Sequence, residues 1–440
     1  MDSQIVIPEE RVPLLNSLST PVTSRIDWEI LPDHNHSPPP TPVNSVSHQT
    51  KPSDPNQRLA SLDVFRGLTV ALMILVDDAG GAFPGINHAP WFGVTIADFV
   101  MPFFLFGVGV SIALAYRRIS AGYFLAAMSE IWLTSNLAVD SPMSFMKKYY
   151  IQWIVAIVLS AMYVALLVGV YVPNWEFEIL SSNSTFSNGN FGLQIETVHC
   201  GLRGSLGPPC NAVGFIDRLI LGEKHLYQNP VYKRTKECSI NSPDYGPLPP
   251  NSPKWCLAPF DPEGILSSVM AAMTCFVGLQ FGHVMMHFKS HMRRTLLWSM
   301  SSLVLLLFAC IVALLGVPLS KPLYTLSYMF LTGGASGVAL SFIYYLVDVK
   351  HIRKPSLLLQ WMGMNALIVY VLAAGELFPA ALQGFYWRSP SNNLVNLTES
   401  FLQSFFHSKK WGTLAFVLLE ILFWCLVSGF LHLKGIYFKL

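Results

Sequence analysis

The chain has 440 residues, 52% of them hydrophobic and only 12% charged, with a mean hydropathy of +0.44 and a formal net charge of +2. A soluble domain carries about twice that charged share. No basic, aromatic-interleaved patch occurs, which excludes a nucleic-acid module. The apolar residues come in long blocks, the pattern of a multi-span helical membrane protein.

Residues 1–57 are polar and rich in proline and serine, and they lack an apolar signal-peptide core, so a disordered cytosolic tail is expected. Within it, Glu10-Arg11-Val12-Pro13-Leu14-Leu15 resembles an acidic dileucine signal, read by sorting adaptors on the way to lysosomes or vacuoles. Residues 58–440 form the membrane domain. Full spans are predicted at 62–82, 94–116, 150–172, 264–286, 295–317, 325–347, 356–377 and 411–432, each near the ~20 apolar residues a bilayer requires. Ala121–Leu133 is apolar but too short to cross and carries Glu130, so it reads as a half-inserted helix. The expected fold is an all-α bundle of about eight full spans plus this short helix, with a large loop at about 173–263.

Basic residues set the orientation. Arg117-Arg118, Lys147-Lys148, Lys289 with Arg293-Arg294, Lys350 with Arg353-Lys354, and Lys434 fall on one side, taken as cytosolic. Lys409-Lys410 is a pair that violates this. The opposite, lumenal side receives the connector bearing His88 and the large loop. That loop holds Cys200, Cys210, Cys238 and Cys256, which suggests two disulfides in an oxidising compartment, with three connectivities open. Asn183-Ser184-Thr185 and Asn396-Leu397-Thr398 fit the N-glycosylation acceptor pattern on that side.

Several segments together resemble the heparan-α-glucosaminide N-acetyltransferase family of transmembrane acetyltransferases. They are RLASLDVFRG leading into the first span, His88 followed by Pro90-Trp91 and TIADFVMPFFLFGVGVSI, then GFIDRLILGEKHLYQNP and FDPEGILSS in the cysteine loop, and later LYTLSYMF, YYLVDVK and GMNALIVY. The resemblance covers nearly all of 58–440, in order. It implies transfer of acetyl from cytosolic acetyl-CoA to a lumenal amino sugar or related amine, a lysosomal or vacuolar membrane (with the plasma membrane as alternative), and a homodimer. The family's active-site histidine falls on His88 and a neighbouring polar position on Asp77. Relatives carry a further span before the segment matching YFLAAMSEIWL, so this chain lacks one stretch after Arg118.

The residues suit that chemistry. An imidazole has a pKa near neutral. It serves as general base toward an amine, or carries the acetyl itself; the sequence leaves both open. Asp77, Asp78 and Asp98 lie near the same boundary, and Asp77 and Asp98 are expected to face inward as partners of His88 or of a protonated amine. Arg66, Arg118 and Asn365 are candidates for holding acetyl-CoA, with Asp63 as helical partner of Arg66. Asp217, Asp261 and Glu263 are candidates for the sugar. His283, His287 and His291 repeat every four residues without an acidic or cysteine partner nearby, so no metal is expected. Two other functions stand beside acetyl transfer: a polytopic carrier or channel, and an inactive isoform.

Overall fold

The computed structural model describes residues 59–115, 141–180, 193–375 and 377–437. The tail 1–57 with Glu10, Leu14 and Leu15, the short helix expected at 121–133, Arg118 and Asn183 lie outside the described residues.

Helix α1 (Ala60–Ala79) closes in a 3-10 turn, Gly80–Ala82, and a connector leads to α2 (Ala97–Ala115). Helix α3 (Pro142–Lys148) is capped by the Ser141 hydroxyl, which accepts the Ser144 amide, and runs into α4 (Tyr150–Gly169). After the large loop and its helix α5 (Ala212–Leu221) come α6 (Ile265–His287), α7 (His291–Leu314) and α8 (Leu326–Tyr344), the last extended by a π turn to Val349. Among the described residues, six helical stretches are long and apolar enough to cross a bilayer: 97–114, 150–169, 265–287, 291–314, 326–349 and 409–433. The chain is an integral multi-pass membrane protein.

Two expected spans differ from the plain apolar type. Helix α1 has the length, but Asp63, Arg66, Asp77 and Asp78 break its apolar character. It is an interior helix, with Phe65 and Ile74 buried and α2 against it. The span expected at 356–377 is broken. Helix α9 (Leu357–Met364) stops at Asn365, and a short α10 (Ala366–Val369), a π turn (Tyr370–Ala374) and α11 (Leu377–Gln383) follow. Asn365 adopts φ −123°, ψ 31°, and its amide bonds the Met362 carbonyl at 3.2 Å, three residues back instead of four. Asparagine tolerates this departure from the helix better than an apolar residue does, and hydropathy alone does not register it.

The chain continues through α12 (Leu394–Phe405), an amphipathic helix with no counterpart among the predicted elements, into α13 (Lys409–Leu433). The polar side of α12 meets α13, where Glu399 accepts the Thr413 hydroxyl at 3.0 Å. Packing between helices relies on missing side chains at a few points. A Cβ on Gly278 of α6 would lie 2.1 Å from the Phe106 carbonyl oxygen of α2, and one on Gly363 of α9 would lie 1.7 Å from that of Asp63 in α1.

The all-α expectation is corrected in the large loop. Four short strands, β1 (Tyr171–Val172), β2 (Trp175–Leu180), β3 (Leu193–Val198) and β4 (Leu202–Arg203), form nested antiparallel pairs, β1 with β4 and β2 with β3. Trp175 lies opposite Val198, and Leu180 opposite Leu193. The run WEFEIL alternates apolar and acidic residues with the period of a strand. Disulfides join Cys200 to Cys210 and Cys238 to Cys256. Tyr232, Cys238, Cys256 and Phe260 share one hydrophobic core with Trp91 of the connector and Met270 and Met273 of α6, so the loop is sealed onto the bundle.

The connections sort to two ends. At one end Phe83 meets Trp411, the Gly93 amide bonds the Leu319 carbonyl at 2.8 Å, and Trp91 Nε1 donates to the Leu206 carbonyl at 2.8 Å. At the other, Tyr149 bonds His287 at 2.8 Å and the Ser61 amide donates to Asp348 at 3.3 Å. This grouping matches the loops that the basic-residue pattern puts together.

Candidate active site

The connector between α1 and α2 is gripped from two directions. From the large loop, Trp91 is buried against Phe260 (ring centroids 5.2 Å) and Tyr232 (5.9 Å). Arg234 Nη1 donates to Asn87 Oδ1 at 2.8 Å, and the Asn87 amide donates to Asp244 at 2.7 Å. From the loop between α7 and α8, Leu319 takes the Gly93 amide. Within this frame Asn87 Oδ1 also accepts the His88 backbone amide at 2.8 Å, which fixes where the imidazole starts.

His88 meets Asp98 ten residues on, with Nδ1 2.8 Å from Asp98 Oδ1. The histidine side chain is 31% exposed and the aspartate fully buried. The other oxygen, Asp98 Oδ2, accepts the Ala89 amide (3.1 Å), the Thr95 amide (3.0 Å) and the Thr95 hydroxyl (3.1 Å). Four donors converging on two oxygens suit an ionised carboxylate. Asp98 reaches back to the Thr95 amide just before α2, as the acidic member of a capping box does, so a residue in the first turn of the helix also orients the imidazole. An acceptor at Nδ1 places the proton on Nδ1 and leaves Nε2 as the basic nitrogen.

Lys321, on the loop between α7 and α8, completes the cluster. Its Nζ lies 3.2 Å from His88 Nδ1 and 3.4 Å from Nε2. The same side chain lines a cleft with Met101, Pro262, Glu263, Ser267, Ser268, Ala271 and Tyr324. Burial pushes the His88 pKa below its ordinary 6.5; the charges of Lys321 and Arg234 push the same way, and Asp98 resists. The neutral imidazole is therefore the favoured form near pH 7.

The remaining candidates divide. Glu263 lines the cleft beside Lys321, and Asp77, exposed at the end of α1, acts on the same ammonium. Asp217 is fully buried and accepts the Ile265 amide at 2.8 Å, which makes it the cap of α6 and takes it off the sugar-facing surface proposed from sequence. Asp261 accepts the Glu263 amide at 2.9 Å and shapes the turn that presents Glu263. Arg66 lies 3.8 Å from Asp63 and donates to Ser111 on α2. It sits roughly 16 Å down α1 from Asp77. Asn365 is buried at the break between α9 and α10. Asn396 lies in the first turn of α12, its amide donating to the Ser391 carbonyl at 3.2 Å.

Lys321, Arg234 and Asn87 carry no signal in the sequence as site residues, because 233 and 147 positions separate the two cations from their partners on the connector. Thr95 and Asp98 do carry one: T-x-x-D before an apolar run is the capping-box pattern.

No protein-family model matches the chain. Human heparan-alpha-glucosaminide N-acetyltransferase (Homo sapiens) is 24% identical over 441 aligned positions, covering 83% of this chain and 60% of that protein. The mouse protein of the same name (Mus musculus) is 25% identical over 473 positions, covering 93% of this chain and 67% of its own length. The chain thus spans about two thirds or less of the length of the curated relatives it matches. Both alignments run longer than the whole chain, so the relatives carry internal residues that this chain lacks. These two matches, which run across most of the membrane domain and the His88 connector, support the heparan-α-glucosaminide N-acetyltransferase family for this chain.

Proposed function

We propose that this protein is a membrane acetyltransferase that moves acetyl from acetyl-CoA, supplied from the cytosol, to the amine of a lumenal amino sugar or related acceptor, with His88 at the reaction centre. The observation that carries this is the buried Asp98 carboxylate on His88 Nδ1, which leaves Nε2 basic. An amine attacking a thioester must lose a proton, and Nε2 takes it; alternatively Nε2 bonds the acetyl carbon first and hands it on. Either course needs an unprotonated imidazole, which burial and the two neighbouring cations favour. Arg66 suits the phosphates of CoA toward the far end of α1, and Glu263 suits hydroxyls or the ammonium of the acceptor. Delivery to a lysosomal or vacuolar membrane through Glu10, Leu14 and Leu15, and a homodimer, belong to the same proposal and rest on the sequence.

Purified protein is incubated with labelled acetyl-CoA and a panel of hexosamines, beside His88→Ala. Label is expected on the amine, with the rate falling by about 10²–10⁴-fold in the variant. A wild-type protein that labels no amine, or a variant as fast as wild type, sinks the proposal.

The break at Asn365 favours one rival, because carriers build their sites from interrupted helices. Solute uptake into liposomes without acetyl-CoA decides for that rival.

A further inference from the structure

Lys321 is the cation of the cleft that no sequence pattern pointed to, and its placement is specific. Its Nζ is nearly equidistant from the two ring nitrogens of His88, 3.2 and 3.4 Å. A point equidistant from both lies off the line of the Nε2 lone pair. The ammonium therefore leaves the Nε2 lone pair open, while standing within hydrogen-bonding reach of whatever bonds to Nε2 or gives it a proton.

The loop that presents Lys321 is held from many sides. The Lys321 carbonyl accepts the Tyr324 amide at 2.9 Å, and the Ser320 carbonyl accepts the Thr325 amide at 3.2 Å. The Leu323 carbonyl accepts the Tyr163 hydroxyl at 2.7 Å. Tyr324 has φ 52°, a left-handed conformation that is strained for a bulky residue. It is buried, and its hydroxyl pairs with Thr274 at 2.8 Å. Strain kept in place by this many contacts marks a loop whose exact path matters.

We propose that Lys321 is a second catalytic residue of the His88 centre, whose ammonium receives the negative charge that develops on the acetyl carbonyl oxygen. This rests on the acetyl-transfer function proposed above. As the attacking nitrogen bonds the carbonyl carbon, the C=O π pair moves onto oxygen, beside Nζ. The oxygen re-forms the double bond, the C–S bond breaks, and its pair leaves with CoA as thiolate. The proton of the amine goes to His88 Nε2. A fixed positive charge aimed where charge develops is the usual source of rate in acyl transfer.

The groups around the pair agree with this role. His88 faces Asp98 on α2, Lys321 on the loop between α7 and α8, and Arg234 from the large loop. Burial pushes the Lys321 ammonium below its ordinary pKa, with the Arg234 charge adding to it, and the carboxylates of Asp98, Glu263 and Asp77 oppose that shift.

The test compares wild type, Lys321→Met, Lys321→Gln, Lys321→Arg and His88→Ala in the full chain. With labelled acetyl-CoA and hexosamine acceptors, kcat is expected to fall by about 10²–10³-fold in the neutral variants, with KM for acetyl-CoA little changed and partial rescue by arginine. A second readout needs no turnover: carbethoxylation of His88 by diethyl pyrocarbonate, followed across pH by mass spectrometry of the peptide. That reagent acts on neutral imidazole, so removing the neighbouring cation moves the midpoint upward, by roughly half a unit or more. A midpoint unmoved in both neutral variants, or kcat within about threefold of wild type, overturns the proposal. His88→Ala retaining full transfer sinks the acetyltransferase function instead. If wild type turns nothing over, that function fails, and the carbethoxylation midpoint alone decides whether Lys321 acts on His88.

Discussion

Histidines stand at both ends of this bundle, and they keep different partners. His88 holds a buried carboxylate on one nitrogen and a lysine beside the ring. At the opposite end, His283 stacks on Tyr149 with centroids 4.0 Å apart and planes at 10°, His287 Nε2 pairs with the Tyr149 hydroxyl at 2.8 Å, and His291 Nδ1 pairs with the Tyr344 hydroxyl at 2.7 Å. A phenol hydroxyl is a weaker charge partner than a carboxylate. It holds a ring in place without fixing a charge on it. A carboxylate fixes the tautomer and supports the imidazolium that forms during proton transfer. The residue type is the same at both ends; the partner decides what it does.

The largest effect that would break this contrast is expected from Asp98→Asn. The amide keeps the volume but cannot serve as the charged acceptor, so the imidazole loses its enforced tautomer and the rate of acetyl transfer falls by roughly 10²-fold or more. Asp98→Asn transferring at the wild-type rate would remove the distinction between the two ends. Next is the pH profile. In the proposed reaction His88 acts as the neutral imidazole, and burial holds its pKa below the ordinary 6.5, so kcat/KM is expected to hold level as pH drops through 6.5. It then falls about tenfold per unit below the lowered pKa. An acid limb centred above 6.5 contradicts the burial and cations placed around the ring.

His287→Phe tests the other end. It removes the bond to Tyr149, a cost of about 1–2 kcal/mol in thermal or denaturant stability, and is expected to leave kcat within about twofold. A large loss of kcat with stability intact would make that end part of the chemistry. The smallest effect belongs to Asp217→Asn. Burial raises the Asp217 carboxyl from 3.8 to about 6, with the nearby Asp261 charge adding to it. A raised carboxyl pKa means the folded state resists ionisation, so its contribution to stability falls as pH rises from 3.8 to about 6. Asparagine keeps the acceptor for the Ile265 amide and removes that dependence. Melting temperature at pH 7 is expected to hold or rise, and transfer to stay unchanged. A loss of acceptor affinity would return Asp217 to the sugar site.

Much of the scaffold was legible because a bilayer demands long apolar runs, and six of the eight predicted spans coincide to within a few residues with helices long and apolar enough to cross. What hydropathy misses is polarity acting at a single position. Asn365 breaks a run that is otherwise apolar, and four charges set α1 apart from the plain spans. The strands of the large loop were readable in the alternation of WEFEIL, a period-two signal overshadowed by the polar loop around it. His88 with Asp98, and Arg66 with Asp63, could be paired because ten and three residues separate them. Lys321 and Arg234 reach the centre only through the packing of distant loops, and nothing local in their sequence points there.

Asp98 fastens two things at once, the first turn of α2 and the ring of His88. Fraying of that turn and misalignment of the imidazole are therefore a single event. Heating should abolish turnover at the temperature where this corner melts and no earlier, so inactivation and local unfolding run together, and a variant that only steadies the start of α2 extends the working range of the protein as well.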